Sequence, residues 1–200
     1  MDIQHVSVKL IVDNPQAVDT AAIIPLFHSW IQGQSAGELL LDVADYRHVP
    51  AGSGVILIGY EANYSMDNSD GRLGVRYSRK TPLAGSNQDR LLEATRAALA
   101  TCRRFETDPQ LNGTIRFNGH DLEITLNDRL LAPNLPESRA LADAEFRTFF
   151  PHLFAGADYT ATYAEDPREL LSIRVKTSQA FDTEALFANL NSLATVAHSN

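Results

Sequence analysis

The chain holds one cysteine, Cys102, which rules out an intramolecular disulfide and any zinc site built on several thiolates. It is short of basic residues as well. Seventeen Lys and Arg against 25 Asp and Glu leave a net charge of −8, the wrong sign for a nucleic-acid surface, which needs clustered cations. The densest basic run, Arg76-Tyr-Ser-Arg79-Lys80, has no basic stripe around it. Long apolar runs are missing too, so no segment reads as a bilayer-crossing helix. The first residues, MDIQHVSVKLIVD, alternate apolar with polar and charged residues. They read as a strand rather than a signal peptide, and a cytoplasmic protein is expected. Asn63-Tyr-Ser65 and Asn112-Gly-Thr114 have the form of glycosylation acceptors, which carries no meaning in such a compartment.

What remains is ordinary for a globular domain: 200 residues, 44% hydrophobic and 21% charged, enough to bury a real core. Val6, Val8, Leu10 and Val12 mark one face of a first strand. A helix is predicted over residues 22–32, with Ile23, Phe27, Trp30 and Ile31 inward and Pro25 in its first turn. A short strand (ELLLD, residues 38–42) and a Gly- and Pro-punctuated loop over residues 45–54 follow.

The most informative stretch is residues 54–80, which alternate with period two and read as two long strands about a turn at Asp67-Asn-Ser-Asp70-Gly71. The expected apolar face carries Ile56, Ile58, Tyr60, Ala62, Tyr64 and Met66. The other face turns polar at Glu61, Asn63 and Ser65. Pairing Met66 with Leu73 sets Asn63 opposite Arg76 and leaves Glu61 diagonal to Arg76. Such a pair implies a sheet with one partly open face, and that face is where a site is expected.

A capped helix is predicted over residues 88–105, with Cys102 in its apolar stripe as an inert core thiol. A hairpin about Asn118-Gly119 follows, then a helix over residues 138–150 that Pro151 interrupts or ends. A further hairpin (residues 159–163 and 170–177) and a helix over residues 181–190 complete the chain. The order β-α-β-β-α occurs twice, and Ile23-Ile-Pro25-Leu-Phe27 resembles Phe149-Phe-Pro151-His-Leu153. The expected fold is α+β: antiparallel sheet with helices on one face, arranged as two tandem ferredoxin-like β-α-β-β-α-β units. The first unit would span residues 1–112, with an insertion at 38–54, and the second residues 113–200, the two packing either separately or as one domain.

Several motifs invite chemistry. Gly33-Gln-Ser35-Ala-Gly37 matches the nucleophile-elbow pattern, but a helix precedes it where the elbow needs a strand, so its glycines read as a helix end. Asp42-Val-Ala-Asp45-Tyr46-Arg47-His48 gathers two carboxylates and an imidazole within seven residues. With Glu61 nearby, Asp42, Asp45 and His48 form an oxygen-rich set suited to Mn, Fe or Mg, while Asp45, His48 and Glu61 are the acid–base candidates. The competing reading makes Asp42 and Asp45 turn caps, leaves His48 exposed and pairs Glu61 with Arg76. For a bound small molecule, Tyr46, Glu61, Asn63 and Arg76 are the candidate contacts.

The segments LLLDVADYRHVPAGSGVILIGYEANYSMD and LNDRLLAPN resemble those of a family of uncharacterised bacterial proteins with no assigned activity. The resemblance covers most of the chain, implies a stand-alone bacterial protein and transfers no catalytic residue. Two functional expectations follow from the sequence: a module that binds a small molecule or forms a homodimer, or a small enzyme, metal-assisted or acid–base, using Asp42, Asp45, His48 and Glu61. The cofactor is left unnamed.

Overall fold

The structure is a computed structural model, and it describes residues 1–33 and 37–197, with no account of the side chains beyond residue 192. Among these residues the strands are β1 (Val6–Val12), β2 (Leu40–Tyr46), β3 (Gly54–Gly59), β4 (Ala62–Asp67), β5 (Gly74–Arg79), β6 (Phe117–Leu126), β7 (Tyr159–Tyr163) and β8 (Leu171–Thr177). The helices are α1 (Ile23–Gln32), α2 (Asn87–Thr107), α3 (Pro136–Leu153) and α4 (Thr183–Ala197). The strands form one antiparallel sheet in the order β2-β3-β4-β5-β1-β6-β8-β7. The fold is α+β, as the residue pattern implies.

The helices form a single layer on one face of the sheet, because each apolar stripe meets both the sheet and its neighbours. α2 starts at a capping box: the Ser86 hydroxyl accepts from the Asp89 amide, and the Asp89 carboxylate accepts from the Ser86 amide. Its inner stripe, from Leu91 through Ala98 and Leu99 to Phe105, lies over β1 and β5. Two aromatic clusters anchor the layer. Phe27 and Trp30 of α1 meet Phe105 of α2, which meets Phe117. Phe146, Phe149 and Phe150 of α3 run on to Phe154, Tyr159 and Phe181. Cys102 is fully buried, and burial pushes its thiol well above the usual range.

Setting the β2–β3 hairpin aside, the strand order reads β4-β5-β1 and then, mirrored, β7-β8-β6. The two runs meet at the antiparallel β1–β6 pair. The sheet therefore runs unbroken across the midpoint of the chain.

Several local expectations are corrected. Residues 54–67 are not one strand: Tyr60 and Glu61 turn the chain between β3 and β4. A two-residue turn reverses which parity faces the core. Val55 and Leu57 are buried in β3, where Ile56 and Ile58 had been expected, whereas Ala62 and Met66 are buried in β4 as expected. The β4–β5 register is two residues from the one the alternation suggested: Met66 faces Val75, Ser65 faces Arg76 and Asn63 faces Ser78. A two-residue slip preserves every face, so alternation alone does not fix it. Asn118-Gly119 is no hairpin. It is a bulge within β6, where the β1 partner jumps from Leu122 to Asn118 between Leu10 and Ile11. Pro151 lies inside α3, which continues to Leu153.

Candidate functional site

Helices cover one face of the sheet, and the other is open. The residues on that open face follow from alternation on each strand, and antiparallel pairing aligns them in rows. One row crosses five strands as Asn63, Ser78, Ser7, Thr125 and Ser172. Its neighbour runs Ser65, Arg76, Lys9, Glu123, Arg174 and Thr162. The first is a row of hydroxyls ending in an amide. The second sets three cations and one carboxylate side by side at the centre of the sheet.

The charges are buried although no helix lies over them. Lys9 is 1% exposed, Asp67 4% and Glu123 9%. The β4–β5 turn makes this possible by folding back over the face, with Asp70 and Gly71 both at positive φ (59° and 66°). Lys9 Nζ donates to Asp67 Oδ1 at 2.5 Å, to the Ser69 carbonyl at 3.2 Å and to Ser69 Oγ at 3.3 Å, which satisfies all three of its protons. Arg76 donates to Glu123 at 2.9 Å, to Ser69 Oγ at 3.2 Å and to Thr125 at 3.4 Å, and its Nε lies 3.4 Å from Asp67. Arg174 makes a bidentate pair with Asp121 at 3.0 and 2.5 Å. Arg72 lies 3.5 Å from Asp121 and 3.6 Å from Glu123, yet its buried Nε and Nη2 make no hydrogen bond. Asn63 Oδ1 is likewise buried without a partner.

Five cations (Lys9, Arg72, Arg76, Arg174 and Lys176) thus meet three carboxylates (Asp67, Asp121 and Glu123), a local excess of two positive charges in an acidic chain. Burial by itself would raise the carboxyls of Asp67 and Asp121. Arg76 and Lys9 outweigh it at Asp67, and Arg174 and Arg72 do so at Asp121, so both stay below the ordinary Asp range. Lys9 is pulled down by burial more than Asp67 can push it up.

Above these rows lies an open groove of about 630 Å³. Its floor is Ser7, Ser78, Thr125, Ser172, Arg76 and Arg174; Asn127 and Arg129 after β6, and Glu169 before β8, also line it. The groove presents hydroxyls, guanidiniums, a carboxamide and the carboxylates of Asp70, Glu123 and Glu169 around a floor held by strands, an arrangement suited to hydrogen-bonding a polar molecule in one orientation.

The residues singled out in the sequence divide between this groove and elsewhere. Arg76 lies at its centre and Asn63 ends its hydroxyl row. Glu61 instead caps the β3–β4 turn, 46% exposed, and pairs with Arg79 at 3.0 Å rather than with Arg76. Asp42 is exposed on β2 and accepts from the Val43 amide at 2.8 Å. Asp45 accepts from the amide, Nε and Nη2 of Arg47 at 2.8–3.0 Å, which holds its carboxyl down to about 2. Tyr46 and His48 are exposed, their rings stacked 6.3 Å apart. Asp45 pairs with Val55 at one end of β3, whereas Glu61 follows Gly59 at the other, roughly 13 Å away by strand rise. Among the described residues no group of three or more His, Cys, Asp or Glu is placed to hold a metal ion. Ser35, the serine of the elbow pattern, lies outside the described residues.

Lys9, Glu123, Thr125, Ser172 and Arg174 escaped the sequence reading. Their signal was present: Ser7-x-Lys9, Asp121-x-Glu123-x-Thr125 and Ser172-x-Arg174-x-Lys176 each place polar residues opposite an apolar alternation. Comparison of the chain with protein-family models, with curated proteins and with solved structures finds no match.

Proposed function

We propose that the protein is a small-molecule-binding module whose ligand is a polar organic molecule lying in the groove on the open face of the sheet. One observation carries this reading: ions are buried and cross-braced on a face that no helix covers, beneath a groove lined with hydroxyls. Replacing buried ion pairs with apolar side chains is often neutral or stabilising, so stability alone does not account for them. A rigid, prepaid array of donors does serve recognition, since little reorganises when the ligand arrives. In the alternative, enzymatic reading, Asp42, Asp45, His48 and Glu61 would have to converge, and their exposure and separation favour the binding module. The arrangement of strands also supports reading the chain as two β-α-β-β-α units joined back to back.

The test is a thermal-shift screen of the full chain against acidic, hydroxylated and zwitterionic metabolites. Arg129→Ala and Ser172→Phe serve as site variants, because neither residue holds the ion network together. A ligand that raises the melting temperature of the parent but of neither variant supports the groove. If ligands stabilise all three proteins equally, the groove is not the site.

Self-association is the second reading, favoured by the sheet edge. Leu39 and Leu41, at and beside the start of edge strand β2, are 64% and 51% exposed, and an unpaired edge bearing apolar side chains invites another strand. Sedimentation should then show a dimer in the parent and a monomer in Leu39→Lys/Leu41→Lys. A monomeric parent would dismiss it.

A further inference from the structure

The two outer strands of the sheet, β2 and β7, each leave one side unpaired. They differ in charge. β2 carries Asp42 and Asp45 among its seven residues, whereas β7 reads Tyr159-Thr-Ala161-Thr-Tyr163 and carries none. Charged side chains commonly guard an exposed edge against pairing, and β7 has no such guard. Its tyrosines and threonines also favour extended chain.

The pairing with β8 decides which backbone groups of β7 face outward. The Ala164 amide donates to the Ser172 carbonyl at 3.0 Å, toward β8. Direction alternates along an antiparallel strand, so Thr160 and Thr162 also turn their N–H and C=O groups inward. Tyr159, Ala161 and Tyr163 turn theirs out. Among the described residues nothing bonds to these outward groups. The tyrosine rings are fixed on the helical side: Tyr159 packs on Phe150 with ring centroids 5.4 Å apart, and the Tyr163 hydroxyl donates to Asp143 at 2.5 Å. Ala161, between them, is exposed.

The five residues read the same in both directions. A second copy laid antiparallel along β7, with a twofold axis at Ala161, therefore sets like against like. Tyr159 meets Tyr163 of the partner subunit, Thr160 meets Thr162 of the partner subunit, and Ala161 meets Ala161 of the partner subunit. Outward groups then face outward groups, giving about six backbone hydrogen bonds, two for each of three pairs. The matched tyrosine and threonine pairs add to them. The flanking carboxylates do not collide, because Asp158 falls opposite Ala164 of the partner subunit and Glu165 opposite Ala157 of the partner subunit. A one-residue slip would set outward groups against inward ones, and a two-residue slip would leave part of the strand unpaired.

We propose that β7 pairs with β7 of a second copy of this chain, joining the two sheets into one. The interface lies at the opposite edge from Leu39 and Leu41 and does not depend on a ligand in the groove. The open faces become continuous: the row that ends at Thr162 runs on through Thr160 and Lys176 of the partner subunit.

Sedimentation of the full chain should show a dimer. Because Ala161 lies opposite itself across the axis, Ala161→Lys and Ala161→Glu each bring like charges together, and each should sediment as a monomer with unchanged circular dichroism. Mixing the two variants in equal amounts should restore the dimer, since opposite charges then meet. Ala161→Pro removes an outward amide that β8 does not use and should dissociate the dimer as well. Leu39→Lys/Leu41→Lys should leave it intact. The proposal is overturned by a monomeric parent, by a dimer that survives the Ala161 variants, or by charge variants that stay monomeric when mixed. A dimer that Leu39→Lys/Leu41→Lys dissociates lies at β2 and overturns it too.

Discussion

Lys9 shows how much one side chain can depend on its neighbours. Its side chain is among the largest fully buried ones of the described residues, and Asp67 is its counter-ion at 2.5 Å. Lys9→Met removes the cation and leaves Asp67 buried with Arg76 as its charged partner. The expected loss is about 3 kcal/mol, the scale of a broken buried ion pair, read from urea unfolding. Lys9→Met/Asp67→Leu should recover most of it, because the desolvation cost leaves with the charges. If the double variant is worse than the single, the pair contributes beyond its own desolvation. Acid should act on the same network. Asp67 and Asp121 titrate below their unfolded values, so the stability they give is present above the unfolded pKa and lost as pH falls through the folded one. Unfolding free energy should therefore drop as the pH falls below about 4, the unfolded carboxyl range. Asp121→Asn should flatten that slope, and an unchanged slope would show that Asp121 is not braced as the geometry indicates.

At the scale of elements, β6 is the most exacting. Its bulge brings Gly119 against the chain entering α4, where an added Cβ would lie 2.5 Å from the Phe181 carbonyl oxygen. That oxygen accepts the Gly119 amide at 3.2 Å, so neither strand nor helix entry can yield without losing the bond. Gly119→Ala should cost about 1–3 kcal/mol, seen as a lower urea midpoint at constant m. A wild-type midpoint would mean that the helix entry gives way freely. The Asn-Gly pair also shows why local signals mislead. Its turn preference is real, but the next strand in sequence that could close a hairpin is absent: residues 114–116 precede the strand, and β1 is already in place to pair with both sides of the bulge. Pro151 does not break the helix for a related reason: α3 has room for one lost amide donor two residues from its end.

For the whole molecule, the sheet is the unit that matters. The β1–β6 pair joins the two halves, and Val8, Leu10, Leu122 and Ile124 on either side of it are all within 1% of complete burial. Cutting the chain between residues 112 and 113 would strip β1 of one neighbour and expose that seam in both pieces. Neither fragment is expected to melt cooperatively on its own, whereas the two mixed should recover the circular dichroism of the intact chain. A cooperative transition in residues 1–112 alone would show that half to be an independent domain. Among the described residues the helices lie on one face of the sheet, and on the other the β4–β5 turn and the segments after β6 and before β8 rise around the groove.

The sequence by itself determined the class of fold, the identity of most elements and the presence of a half-polar face, because these depend on periodicity and caps, which are local. It also put Arg76 and Asn63 on that face. Tertiary structure decided the register of β4 on β5, the hidden turn at Tyr60-Glu61 and the exchange of Arg76 for Arg79 as the partner of Glu61. It alone gathered Lys9, Asp67, Glu123 and Arg174, which come from four strands as far as 165 residues apart in the chain. The reason is physical. Alternation says which way a side chain points, but only pairing between distant strands says what it points beside.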